Sequence, residues 1–346
     1  MDKDKKLEAI DAITFINKEL ETKEAIVEGG ILPQNSIAIV GGISKQGKSI
    51  FVLNMGIQMA TGKPFLSQFN ILKPKKVIYL QAEIPEQSMQ NRMRKMERAI
   101  DCGNDIKRLL ISNKKNIKLS NPKDLRMVDN LIKEKKADVL IIDPLYKFHS
   151  GDENRVNDMT RIFDRLDWLI ERNNISIVIV HHFGKPQEGR DGATAFRGSS
   201  VITDYADTYM MLRRKSRDES RNYVKLSFEL RNEEEPKTII LYRNPDTLWY
   251  EVLGVEGDSK VSIHDCVTCL EEIGGITQSK ESLMSVIKER TGASDRTIKN
   301  ALIEAEELKK IFTIKGRGKG GPRICFLPHM KSRAEEMAEL AIIPSI

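Results

Sequence analysis

The sequence predicts an α/β fold: a mostly parallel sheet flanked by helices, late antiparallel hairpins extending it, and a small separate block at the C-terminal end. Three observations carry this. A strand, Ile37-Ala-Ile-Val40, runs into Gly41-Gly-Ile-Ser-Lys-Gln-Gly-Lys-Ser49 and then into an apolar stretch, Ile50 to Ala60, that reads as a buried helix. Further short apolar runs, each closing on a polar group, alternate with helix-patterned segments, as buried parallel strands do. After Val201 the pattern changes to short β-type runs separated by charged turns.

The loop after the first strand reads G-x-x-x-x-G-K-S from Gly42, and elementary chemistry accounts for each fixed position. Gly42 and Gly47 allow the tight turn that points backbone N–H groups inward at a helix N-terminus, where they cradle phosphate. The cradle is residues Gly42, Ile43, Ser44, Lys45, Gln46 and Gly47, with Lys48 reaching the β- and γ-phosphates and Ser49 offering its hydroxyl to Mg²⁺. The expected ligands are therefore ATP and Mg²⁺.

The 346 residues allow two or three domains, and 40% hydrophobic content supplies a core. With 56 Lys+Arg against 50 Asp+Glu the net charge is +6, an excess that permits nucleic acid as a partner without requiring it. Met1-Asp-Lys-Asp-Lys-Lys6 lacks the apolar region of a signal peptide, and no window approaches the roughly 18 apolar residues of a membrane span. A cytoplasmic protein with no membrane partner is expected. Four scattered cysteines, Cys102, Cys266, Cys269 and Cys325, do not make a disulfide framework.

In chain order, residues 1 to about 30 read as a charged helix with Ala9, Ile13, Ile16 and Leu20 on one face. Val77-Ile-Tyr-Leu80 is a strand ending on Gln81-Ala-Glu83, where a carboxylate can take a proton from an attacking water or stand as a solvated turn residue. Ser88 to Ile100 is a basic amphipathic helix. Asp138-Val-Leu-Ile-Ile-Asp143 closes four apolar residues on an acid, which with the phosphate loop puts Asp143 on the Mg²⁺ side of a nucleotide site, the alternative being an acid that merely caps a strand. Asp152 and Glu153 line the site or are solvated. Ile175-Ser-Ile-Val-Ile-Val180 ends in His181-His182, and strand alternation lets only one of the two histidines face the nucleotide. Lys185 to Arg197 is a polar loop with no periodicity, whose Lys185, Arg190 and Arg197 contact phosphates or are plain surface charge. Arg213-Arg-Lys-Ser-Arg217 reads as a solvated basic turn, and Gly254 to Ser259 as a linker.

The last block has its own logic. Helices at Ile263 to Ile273, Lys280 to Arg290 and from Ser294 to about Lys310 precede two short strands, Ile311 to Ile314 and Arg323 to Leu327, an order that spells a winged helix-turn-helix. Residues 309 to 323 hold Lys309, Lys310, Lys315, Arg317, Lys319 and Arg323 with no acid, on flexible glycines. That suits phosphate contact. Arg296, Lys299 and Asn300 lie early on the third helix, where base-edge contacts belong. A winged helix used for protein contacts is the alternative. His264-x-Cys266-x-x-Cys269 invites a zinc reading, but without a second Cys pair it reads as buried packing.

Taken together, Glu28-Gly-Gly-Ile-Leu-Pro33, the phosphate loop, Leu80-Gln-Ala-Glu-Ile-Pro85, Ile141-Ile-Asp-Pro-Leu145, His181-His182, Phe196-Arg-Gly-Ser-Ser200 and Glu229-Leu-Arg-Asn232 resemble the RecA-like ATPases. Within these the chain is most similar to the RepA-type hexameric helicases of plasmids and mobile elements, over about residues 24 to 253. The resemblance implies a RecA-like fold, Glu83 as general base, Asp143 as the Mg²⁺-side acid and His182 as the γ-phosphate sensor. It makes Arg197 and Arg231 competing candidates for an arginine finger given to a neighbouring subunit; Glu229 stands where relatives place a lysine two residues before Arg231. It implies a homo-oligomer, a hexamer, with single-stranded DNA gripped by the 185–196 loop; duplex DNA as the winged helix's partner is expected from that block's own residues. The expected organisation is an N-terminal arm (1–23), an ATPase domain (24–253), a linker (254–260), a winged helix (261–330) and a tail (331–346).

Overall fold

In the computed structural model the described residues are 9–19, 24–100, 105–182, 205–214, 222–256, 261–317 and 321–340. After a short helix α1 (Ala12–Ile16), the chain alternates β1 (Ile37–Gly42), α2 (Lys48–Thr61), β2 (Val77–Gln81), α3 (Glu86–Glu97), β3 (Leu109–Ser112), α4 (Pro122–Lys135), β4 (Val139–Asp143), α5 (Val156–Asn173) and β5 (Ser176–His182). Strands β6 (Thr208–Arg213), β7 (Tyr223–Leu230), β8 (Ile239–Arg243) and β9 (Tyr250–Val255) follow. The described strands β1 to β9 form one nine-stranded sheet in the order β3-β2-β4-β5-β1-β6-β7-β8-β9.

Burial follows the two-residue period of a strand covered on both faces. Ala38 and Val40, Val77 and Tyr79, Val139 and Ile141, and Val178 and Val180 pack with α2 and α3 on one face. Their neighbours Ile37 and Ile39, Ile78 and Leu80, Leu140 and Ile142, and Ile177 and Ile179 pack with α4 and α5 on the other. Every residue in β1, β2 and β4 is buried, as a central parallel strand requires.

The run after residue 201 differs from the hairpins expected throughout: β6 pairs parallel to β1, and only β7, β8 and β9 are antiparallel. The N-terminal reading also needs correction. Of the expected long helix only α1 is helical among the described residues, capped by Asp11, whose carboxylate accepts from the Thr14 N–H at 3.0 Å, with Ile13 and Ile16 exposed. Residues 26 to 32 instead form a turn closed by a Val27–Leu32 bridge, with Ile26, Val27, Ile31 and Leu32 buried. Gly254 and Val255, read as linker, belong to β9.

The C-terminal block consists of α6 (Ile263–Glu272), α7 (Lys280–Thr291), α8 (Asp295–Glu307) and an antiparallel pair, β10 (Phe312–Lys315) with β11 (Arg323–Phe326). Ser262, Ser279 and Ser294 cap the three helices, the first through a full capping box with Asp265. Residues 331–340, read as a tail, form α9 (Lys331–Leu340), whose Ala334 and Ala338 pack on Ile324 and Phe326.

Candidate active site

The carboxyl ends of β1, β2, β4 and β5 converge on one cavity of about 370 Å³, the size of a small-molecule site. Its lining includes Ser44, Lys45, Gly47, Lys48, Ser49, Glu83, Asp143 and His182. Gly47 is the N-cap of α2 in the left-handed region, with φ of 88°. A Cβ there would sit 2.3 Å from the Tyr250 hydroxyl, so only glycine fits. No side chain caps this helix, which leaves its first N–H groups facing the cavity. Ile43 N–H donates to Gln46 Oε1 at 3.1 Å, tightening the loop from inside.

Lys48 is buried, and its Nζ donates to the carbonyls of Gly42 at 2.8 Å and Ile43 at 2.9 Å. Its third neighbour is His182 Nδ1 at 3.1 Å, which can only accept from an ammonium. Burial pulls the Lys48 pKa down to about 8, against the opposing charges of Asp143 and Glu83. His182 continues the Val178–Val180 face toward the phosphate loop, whereas His181 turns to the opposite face, 3.6 Å from Glu153. Strand alternation thus separates the pair as expected, and Glu153 goes with His181, away from the cavity lining.

Ser49 donates its hydroxyl to Asp143 Oδ1 at 3.0 Å, and the Tyr79 phenol donates to Asp143 Oδ2 at 2.5 Å. Burial raises the Asp143 pKa, opposed by these two hydrogen bonds. Ser49 and Asp143 offer only hard oxygen donors on a carboxylate whose charge is desolvated, a set that fits a Mg²⁺ ion. Glu83 is exposed at the cavity edge. The Gln81 side chain holds its loop: Oε1 accepts from the N–H groups of Glu83 and Ile84, both at 2.9 Å, while Nε2 donates to Asn113 at 2.9 Å. Tyr146 stands against Glu83; burial first, then the Glu83 charge and a hydrogen bond to it, raise the Tyr146 pKa.

Sequence reasoning missed Tyr79, Gln81, Tyr146, Arg92 of α3 and Arg243 of β8, the last two also lining the cavity. Gln81 and Tyr79 share the inward period of β2, a signal that names the face but not the partner. The basic turn read as solvated reaches inward at one residue, for Arg214 Nη2 donates to the Lys45 carbonyl at 3.4 Å.

Other expected residues lie elsewhere. Arg231 pairs with Asp207 at 3.1 Å, and Asp207 accepts from Ile37 N–H at 3.0 Å, so this arginine stands at the opposite end of β1 from its own phosphate loop. Arg197, Lys185, Arg190 and Lys319 lie outside the described residues. Arg296, Lys299 and Asn300 are exposed on α8, whose other face buries Ile298, Ala301 and Leu302. Lys315, Arg317 and Arg323 are exposed on or beside the β10–β11 pair. Lys310 is not part of that free surface, because it pairs with Glu251 of β9. His264, Cys266 and Cys269 are buried, with His264 against Tyr223 at 4.5 Å between centroids. Burial raises both thiol pKa values, and no group of three potential ligands that could hold a metal ion occurs among the described residues. No helix among them is long and apolar enough to cross a membrane.

A parallel sheet with a glycine-rich phosphate loop after β1, and an acid at the end of β4 tied to the serine of that loop, defines a P-loop ATPase of RecA-like fold. The chain belongs to the AAA domain family, which matches residues 3–188. Among solved structures it is similar to a DnaB-like replicative helicase described with its interactions with primase, at 13% identity and a TM-score of 0.51. That match covers 69% of this chain and 66% of the other. It is also similar to a KaiC-like protein from the hyperthermophilic archaeon Pyrococcus horikoshii OT3, at 15% identity and a TM-score of 0.44, over 66% of this chain and 94% of that one.

Proposed function

We propose that this protein is an ATP-driven DNA motor, a hexameric RepA-type replicative helicase or initiator of a plasmid or mobile element. The observation that carries the reading is the convergence of Lys48, Ser49, Asp143, Glu83 and His182 on one cavity, combined with a C-terminal block that carries exposed basic residues outside the cavity lining. The fold shared with a replicative helicase supports it. The C-terminal block is read as a winged helix: α8 is the recognition helix, with Arg296, Lys299 and Asn300 toward base edges, and Lys315, Arg317 and Arg323 contact phosphates.

In the hydrolysis step Lys48 exchanges its carbonyl partners for β- and γ-phosphate oxygens, and the backbone N–H groups before α2 hold the β-phosphate. Glu83, fixed by the Gln81 clamp, orients a water in line with the γ-phosphorus and takes its proton. His182 moves from Lys48 to the γ-phosphate and senses its loss. Ser49 and Asp143 would hold Mg²⁺, which offsets phosphate charge when bound. Arg231, which pairs with Asp207 away from its own cavity, and Arg197, by its motif, are the competing candidates for a finger given to a neighbouring subunit.

The test is ATP-dependent displacement of a labelled strand from a forked duplex, with Lys48→Ala alongside. Displacement by the unaltered protein alone supports the motor. Hydrolysis without displacement rejects it in favour of a nucleotide-switched loader or regulator.

A further inference from the structure

The ribbon of β8 and β9 touches two parts of the protein at once. Arg243 and Tyr250 face each other in register, as do their neighbours Tyr242 and Glu251, and successive residues of a strand point to opposite faces. On one face the Tyr250 hydroxyl donates to the Gly47 carbonyl at 3.4 Å, the Tyr250 ring meets Phe51 of α2 edge-on at 5.6 Å, and Arg243 lines the nucleotide cavity. Asn54 of α2 fastens the same strand, accepting from the Tyr250 N–H at 2.8 Å.

On the other face sits the C-terminal block. The Lys310 ammonium, at the junction of α8 and β10, pairs with Glu251 and lies 4.8 Å from the centroid of the Tyr242 ring. The pair is mostly screened from water, with 14% of the Lys310 side chain and 34% of the Glu251 side chain exposed. Around it the block's own core is continuous with the sheet, since Ile263, Leu270 and Leu302 share one apolar cluster with Tyr223, Ile240 and Leu253. Adjacent residues of one strand, Tyr250 and Glu251, therefore contact the phosphate loop and the junction of α8 and β10.

We propose that this ribbon couples the nucleotide cavity to the C-terminal block, so that nucleotide and the block's ligand, duplex DNA, alter one another's affinity. A polyphosphate seated in the cavity draws on the backbone around Gly47, whose carbonyl accepts from the Tyr250 hydroxyl. A shift of Tyr250 carries Glu251 with it, and the Glu251–Lys310 pair transmits the shift to the end of the recognition helix. By linkage the effect is reciprocal, and couplings of this kind run from about 5-fold upward. The DNA half of this proposal rests on the function proposed above; the ribbon half does not.

The experiment is amide hydrogen exchange on the full chain with and without ADP and Mg²⁺, repeated on the double variant Glu251→Gln/Lys310→Met, which removes both charges and keeps the side-chain stems. ADP is expected to protect residues 42–51 in both proteins, and to change exchange of residues 305–315 by about 5-fold or more in the unaltered protein alone. Protection confined to 42–51, or an equal change at 305–315 in the double variant, overturns the ribbon coupling. No protection at 42–51 rejects the nucleotide site itself, and the coupling with it. Unchanged exchange in β1 to β5 shows that the variant is folded. In the second arm, binding of a labelled duplex should change about 5-fold with ADP in the unaltered protein and not in the variant. Equal binding with and without ADP overturns the coupling to DNA, and absence of any duplex binding rejects the DNA reading while exchange still decides the ribbon.

Discussion

Raising the pH above 8 isolates the contribution of Lys48. In the ligand-free cavity its ammonium is buried among two carbonyls and His182, and burial brings its pKa to about 8. A polyphosphate beside it favours the charged form, so the pKa in the complex is far higher. Nucleotide thus binds the protonated site, and the free site loses its proton as pH rises through about 8. Affinity must therefore fall with rising pH, the dissociation constant scaling roughly as 1 + 10^(pH − 8). Between about pH 7.5 and pH 9.0 that amounts to about an eightfold weakening, or roughly 1.2 kcal/mol. The terminal phosphate ionises near pH 6 and does not change charge across this window. The assay is a titration with fluorescent ADP and Mg²⁺ at matched ionic strength, on the unaltered protein and on Lys48→Arg, whose guanidinium stays charged throughout. An unaltered protein with flat affinity, or an arginine variant with the same slope, refutes the reasoning.

Four further outcomes follow from the same geometry. Glu83→Gln should lower kcat by about 10²–10⁴-fold while leaving nucleotide affinity nearly unchanged, and near-normal turnover would remove Glu83 as the base. Tyr79→Phe takes a donor from the buried Asp143 and should cost about 1–3 kcal/mol in denaturant unfolding of the ligand-free protein; an unchanged midpoint would mean that the hydrogen bond carries nothing. Gly47→Ala forces a Cβ to 2.3 Å from the Tyr250 hydroxyl at positive φ, adding about 1–2 kcal/mol of backbone strain to the clash. It should abolish nucleotide binding, with partial recovery on adding Tyr250→Phe, and no recovery would place the fault in the backbone alone. On the proposal that the exposed Lys and Arg of the C-terminal block contact phosphates, removing residues 258–346 should flatten the salt dependence of DNA binding; an unchanged slope assigns those contacts elsewhere.

Much of the site could be read from residue order because each part is local. Gly42 to Ser49 is one continuous stretch, Asp143 and His182 each end an apolar run whose period sets the face on which they emerge, and Glu83 follows two residues after β2. The errors came where the pattern was equally local but the partner was not. β6 has the composition of a hairpin strand, yet its pairing is decided by the empty edge of β1, which accepts it in parallel. Ala334 and Ala338 in a charged C-terminal stretch become a packed helix only because β10 and β11 present Ile324 and Phe326 to them. Lys310 looked like one more cation of a basic run until the fold put Glu251 beside it.

The sequence by itself determined the parallel α/β core, the phosphate loop and the strand-end residues around it, since hydrophobic period and glycine placement act over a few residues. The tertiary structure alone decided what supports and connects them: Tyr79 on Asp143, Gln81 beneath Glu83, Tyr250 on Gly47, and Lys310 on Glu251. Apart from the local Gln81 clamp, these contacts join residues 59 to 203 positions apart, and a side chain's partner at that range depends on how strands order in the sheet, which no local pattern encodes.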